Sequence, residues 1–175
     1  MNALVFLIKY QTEKVILFLI LPLVSSIILW IILKKTKFCK NQKTKSIMIV
    51  LLFASIMIII ECTMLFRTKA DSYQYNFDLF WKYKELASGT SSLIFEILAN
   101  IIVFVPIGAL LPCVLKQSVQ RFTVVYGILL SSLIELVQLV SKYGLFEVND
   151  IFHNSLGVII GYTLFCVLKS IRSDN

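Results

Sequence analysis

The chain has 175 residues, 58% of them hydrophobic, with a mean hydropathy of +0.86 and a formal net charge of +7. So apolar a composition excludes an ordinary soluble domain, and the length suits a single domain over residues 1–175. The positive charge does not point to nucleic acid, because the lysines flank long apolar runs, where they orient a chain in a bilayer and attract anionic lipid.

Taken in chain order, residues 1–14 hold a short apolar patch broken by Lys9, Glu13 and Lys14, which suits the membrane interface. Five runs then reach the roughly 20 residues needed to cross a hydrocarbon core of about 30 Å. They lie at 15–33, 46–66, 91–115, 122–141 and 151–168, which predicts an all-α, polytopic integral membrane helix bundle. The first run is too long for a signal peptide's apolar region, and a lysine-rich loop follows it instead of a small-residue cleavage site. That loop, 34–45, carries six lysines and is short, so it is expected on the cytoplasmic side. Five spans then place the N-terminus outside and the C-terminus in the cytoplasm. The segment 67–90 is predicted as an outer interfacial loop, because Tyr73, Tyr75, Phe77, Phe80, Trp81 and Tyr83 favour the headgroup region.

Four cysteines (Cys39, Cys62, Cys113 and Cys166) and the single His153 show no metal-ligand or redox spacing, so neither a metal nor a cofactor is expected. The informative residues are the polar ones inside the spans, since buried charge in a membrane is costly and faces a partner or a wet cavity. With the predicted orientation they fall in the outer half: Glu61, then Glu96 and Asn100, then Glu135 and Gln138, then Asp150, His153 and Asn154. Helical spacing groups them further. Glu96, Asn100, Phe104 and Gly108 recur every four residues, Glu135 and Gln138 are three apart, and Asp150, Asn154, Gly157 and Gly161 form one stripe. Three helices each present a carboxylate with an amide, and these are expected to converge on one outward-facing cavity. Glu96, Asn100, Glu135, Gln138, Asp150 and Asn154 are the candidate substrate-binding residues, and Glu135, Asp150 and His153 the candidate acid–base groups. Phe104, Pro106, Gly108, Gly157 and Gly161 are assigned structural roles. Pro106 frees the carbonyl of Ile102, and the small residues let backbones approach.

These motifs resemble the VanZ-like family of membrane proteins. The stretch "NIIVFVPIGALL" looks like its Asn-x-x-x-Phe-x-Pro-x-Gly helix, "ELVQ" like its Glu-x-x-Gln helix, and "NDIFHNSLGVIIGY" like its Asp-x-x-x-Asn-[Ser/Thr]-x-Gly segment. Asn76 and Phe80 in "NFDLF" resemble the stretch that often precedes them, so the likeness runs over about 73–168. Leu79 stands where the family often has proline, Glu147 where it often has aspartate, and no arginine precedes the acidic stretch, which leaves Lys142 for any anion-binding role. The resemblance implies a Gram-positive cell-envelope protein and an accessory part in resistance to teicoplanin-like glycopeptide antibiotics. The partner would be a membrane lipid or a lipid-linked wall precursor, with a second membrane protein as a further possibility. The alternatives from the residues themselves are an intramembrane enzyme acting on a lipid-linked substrate, and a small transporter or assembly partner.

Overall fold

A computed structural model describes residues 20–35, 42–64 and 69–173. The N-terminal patch, the start of the first expected span and the middle of the lysine loop lie outside the described residues. The chain divides into two compact units, residues 1–67 and 68–175.

In the first unit, helix α1 covers Ile20–Lys34 and α2 covers Lys43–Met64. An apolar cavity of about 510 Å³ lies within this unit, lined by Pro22, Leu23, Ile27, Trp30, Val50 and Ile58 among others. Glu61 of α2 is buried, and neither carboxylate oxygen has a hydrogen-bond partner among the described residues.

The second unit is built from a strand β1 (Gln74–Asn76), a short helix α3 (Trp81–Ala87) and a long helix α4 (Leu93–Val114). A 3-10 turn (Gln117–Phe122) leads into α5 (Thr123–Ser141), then β2 (Leu145–Glu147) and α6 (Val148–Ser173). Four helical spans, Lys43–Thr63, Leu93–Val114, Gln117–Ser141 and Val148–Arg172, are long and apolar enough to cross a membrane, and Ile20–Lys34 is a shorter apolar helix. The membrane bundle read from the sequence is therefore present.

The helices of this unit are patterned inside out. On α5 the buried residues are Thr123, Gly127, Ser131, Glu135 and Gln138, an inward stripe of small and polar side chains at helical spacing. Val125, Leu129, Leu133, Leu136 and Val140 are exposed around the rest of the helix, the arrangement expected where lipid is the solvent.

The principal contact is between α4 and α6, and it is made by backbone. A Cβ added at Gly157 would fall on the carbonyl oxygen of Ile101, one at Gly161 on that of Val105, and one at Gly108 on that of Val158. Glycine is required at this seam because any side chain would hold the helices apart. The structural role expected for these three glycines follows from that geometry. Phe104 and Ile107 of α4 and Val158 of α6 are buried in the unit's core. Pro106 and Pro112 both sit within α4 without ending it.

The segment 67–90, expected as a surface loop, is folded over its described part. β1 pairs in parallel with β2, with Gln74 opposite Leu145, Tyr75 opposite Phe146 and Asn76 opposite Glu147. The Ala70 N–H donates to the Lys142 carbonyl at 2.8 Å. Tyr73, Tyr75, Phe77 and Phe80 remain exposed, so the aromatic face expected at an interface is kept. The pairing of two three-residue strands fixes where α3 lands, and α3 carries the residue on which the site turns.

Candidate functional site

The chain turns into α3 through two local bonds. Asn76 Oδ1 accepts from the Asp78 N–H at 2.9 Å, and Asp78 Oδ1 accepts from the Phe80 N–H at 3.0 Å. Short polar side chains close turns this way by replacing a backbone acceptor. Lys84 bonds Asp78 at 2.6 Å, and this contact, with the Phe80 N–H, holds the Asp78 carboxyl below the usual aspartate range. The turn leaves Lys84 in solvent and directs Lys82 into the bundle, where it is only 2% exposed.

There the Lys82 ammonium meets three carboxylates. Its Nζ donates to Asp150 Oδ1 at 2.6 Å, lies 2.7 Å from Glu147 Oε2 and 3.6 Å from Glu96 Oε2. The Glu147 contact is a buried ion pair. Burial alone would drive the Lys82 pKa down, but Asp150 and Glu147 outweigh it and hold the ammonium above the ordinary lysine range. Glu147 shows the cost on the acidic side. Burial and the neighbouring Asp150 push its pKa up to about 7, against the pull of Lys82.

Glu135 enters from α5. Its Oε2 accepts the Glu147 N–H at 2.9 Å, just ahead of α6. A helix start has unpaired N–H groups and a partial positive charge, so this carboxylate acts as a cap supplied by another helix. Gln138, with its amide nitrogen turned toward the carboxylate, donates to both Glu135 oxygens at 3.2 Å. One turn deeper, Asn154 Nδ2 donates to Ser131 Oγ at 2.8 Å, joining α6 to α5. Asn149 donates to the Leu79 carbonyl, tying α6 to the chain ahead of α3. His153 is fully buried, and its Nε2 lies 2.6 Å from the Tyr83 hydroxyl.

The structure thus gathers Glu135, Gln138, Asp150, His153 and Asn154, all named from the sequence, at one end of the α4–α5–α6 bundle. Glu96 sits at its edge with 59% of its side chain exposed. Asn100 is half-buried and makes no side-chain hydrogen bond among the described residues. The Lys82 ammonium lies among Asp150, Glu147 and Glu96, beside the Glu135–Gln138 and Asn154–Ser131 contacts. Sequence reasoning missed Lys82, which it counted only as a loop charge. Lys142, the nearest basic residue before the acidic stretch, is not the buried cation. It adopts a left-handed φ of 61° at the end of α5 and donates to the Asp71 carbonyl at 3.1 Å, lying over the Tyr73 ring. No group of His, Cys, Asp and Glu suited to a metal ion is found among the described residues.

No curated protein and no solved structure matches the chain. A family model described as VanZ/LLP1 does match, over residues 63–169. That stretch is more than half of the chain and contains every residue of the buried ion cluster, from Lys82 to Asn154. The three helices, the glycine seam and the folded segment ahead of them are therefore what the family model covers, and this multi-pass membrane protein belongs to the VanZ/LLP1 family.

Proposed function

We propose that this protein is an accessory factor of the bacterial cell envelope that lowers susceptibility to teicoplanin and related lipoglycopeptides. It does so by binding a lipid or a lipid-linked wall precursor at the outer face of the cell membrane. The observation that carries this reading is the concentration of buried charge at one end of the second unit. Lys82, Glu135, Glu147 and Asp150 are each at most 6% exposed, and four elements supply them. Desolvating so many charges is a poor route to stability, because well-packed apolar residues do as well or better.

The charge at the opposite end supports an outward-facing site. Lys116, Arg121, Lys169 and Arg172 are all exposed there, the first two between α4 and α5 and the last two in the final turns of α6. Four exposed basic residues beside the ends of spans favour the cytoplasmic side for that end of the unit under the positive-inside tendency. The N-terminus is then outside and the C-terminus in the cytoplasm.

The test is teicoplanin susceptibility in a strain lacking the gene and complemented with variants at matched membrane abundance. Asp150→Asn and Glu135→Gln are expected to lose protection. Normal protection by both would remove the site from the function.

A second reading, an intramembrane enzyme acting on a lipid-linked substrate, has one specific observation in its favour. His153 bonds Tyr83 through Nε2 and keeps a buried Nδ1 without a hydrogen-bond partner among the described residues, an arrangement suited to moving a proton. An envelope lipid profile that is the same with the wild type and with His153→Ala would sink it.

A further inference from the structure

The ion cluster is rich in acceptors and poor in donors. Three carboxylates, Glu96, Glu147 and Asp150, meet one lysine, while Glu135 accepts the Glu147 N–H and the nitrogens of Asn149 and Asn154 go to the Leu79 carbonyl and Ser131 Oγ. Among the described residues, five buried polar atoms in this unit lack a hydrogen-bond partner. They are Glu147 Oε2, Asn149 Oδ1, Asn154 Oδ1, His153 Nδ1 and the indole nitrogen of Trp81. Two of the five, Asn149 Oδ1 and Asn154 Oδ1, are amide oxygens that can only accept, on residues 0% and 5% exposed, while Glu147 Oε2 already faces the Lys82 ammonium at 2.7 Å. The Asn149 assignment is firm, because its nitrogen is committed to the Leu79 carbonyl. Native proteins leave few such groups without reason, and unpaired acceptors call for a ligand that brings donors.

The cluster displays the kind of donor it takes. The end of the Lys82 side chain is a methylene bearing an ammonium, and it sits among Asp150, Glu147 and Glu96 at 2.6, 2.7 and 3.6 Å. Such a set of carboxylates accommodates a primary ammonium, since a contact can combine charge with a hydrogen bond. The element that delivers Lys82 is a short helix held to the bundle by polar contacts, those of Lys82 itself, the Tyr83–His153 bond and the Asn149–Leu79 bond just ahead of it. Along α3, Lys82 is buried and Trp81 and Leu86 are half-buried, whereas Tyr83, Lys84, Glu85 and Ala87 are exposed. Behind it the chain runs through Gly89, whose φ of +108° is paired with open space around its backbone, and on through exposed residues to α4.

We propose that Lys82 is a built-in occupant of a primary-ammonium site, and that an ammonium-bearing envelope molecule displaces it, lifting α3 from the end of the bundle. This rests on the reading that the cluster binds an envelope component, and it names the chemical class of that component. The shared chemistry is a primary ammonium on a flexible stem, and its source is either an amino-lipid headgroup or the free amine of a precursor's peptide.

Two measurements test it. The first uses Lys82→Ala in phosphatidylglycerol nanodiscs, with thermal denaturation followed in ethylammonium or tetramethylammonium chloride. Ethylammonium is expected to restore much of the lost Tm. Tetramethylammonium, which has no N–H, is expected to do nothing, and adding Asp150→Asn should abolish the rescue. Equal effects of the two cations, or no effect of either, overturn the proposal.

The second needs no variant and stands if Lys82→Ala does not fold. Amide hydrogen exchange is measured over α3 in wild-type protein in phosphatidylglycerol discs, alone, with phosphatidylethanolamine, with N-acetyl phosphatidylethanolamine, or with soluble ethylamine. Exchange about tenfold faster with phosphatidylethanolamine, but not with its N-acetyl form, supports a headgroup ligand. The same acceleration with ethylamine supports a free amine. No acceleration in any condition, or equal acceleration by the N-acetyl lipid, overturns displacement. If the ammonium tests fail while Asp150→Asn still loses antibiotic protection, the proposed function survives without this ligand class. If the ammonium tests succeed and protection is intact, the reverse holds.

Discussion

The two ends of the second unit handle charge in opposite ways. At one end Lys82, Glu135, Glu147 and Asp150 are withdrawn from solvent and bonded to each other across four elements. At the other, Lys116, Arg121, Lys169 and Arg172 stay exposed, and the contacts they make are loose ones. Lys169 donates to Gln120 Oε1 at 3.1 Å, and Arg121 lies over the neighbouring Phe122 ring. Exposed cations beside a membrane span orient the chain at little energetic cost. Buried ones must be matched group by group, so a change there propagates. The difference separates charge that positions the protein from charge that defines a site.

The largest effect is expected at the centre of the buried end. Lys82→Met leaves Asp150 and Glu147 facing each other without a cation, a loss of about 3–5 kcal/mol of stability by analogy with other broken buried pairs. Adding Asp150→Asn should return part of it, with a coupling of about 1–3 kcal/mol in the double-mutant cycle. Additive effects in denaturant unfolding would show that the two side chains do not act as a pair.

Next comes the seam that holds both ends in register. Gly161→Ala puts a methyl on the Val105 carbonyl, so α4 and α6 must separate, at about 1–3 kcal/mol. Thermal denaturation of the purified protein reads this directly.

A smaller effect distinguishes the ends by pH. Glu147 has an ordinary value of 4.5 and about 7 in the folded protein, so the folded state holds this proton more tightly than the unfolded chain. Its contribution to stability is complete below the unfolded value and is lost as pH rises through about 7. The Tm is expected to fall across that window, and Glu147→Gln to flatten the slope. A slope unaltered by Glu147→Gln would place the titration elsewhere. The smallest effect is expected at the basic end, where Lys169→Gln should change stability by no more than about 0.5 kcal/mol.

Much of this was legible in the sequence, and for identifiable reasons. Membrane helices announce themselves by length and hydropathy, so the spans at 91–115 and 122–141 agree closely with Leu93–Val114 and Thr123–Ser141. Glu135 and Gln138 were readable as one face because helical geometry ties residues three apart. The last helix begins earlier than 151, at Val148, because Glu135 supplies its N-terminal partner from another element. Lys82 was not legible. Its partner Asp150 lies 68 residues away, and among Trp81, Tyr83 and Lys84 it resembles any interfacial lysine. The three-residue pairing of β1 with β2 that carries it there is too short to leave a periodic signal. The resemblance pointed instead to Lys142, as a stand-in for the family's arginine if that role is kept, and its side chain turns to Asp71 and Tyr73.

The central claim is that the buried charge serves function and not only folding. The direct test compares teicoplanin susceptibility for Lys82→Met/Asp150→Asn and for Lys169→Gln, each at wild-type membrane abundance. The double variant removes the closest buried pair and leaves one carboxylate, Glu147, without the ammonium in place of two, so its stability is closer to wild type than that of Lys82→Met alone. The expected result is lost protection in the double variant and full protection with Lys169→Gln. Full protection by the double variant would mean that the cluster only holds the helices together, and would contradict the account.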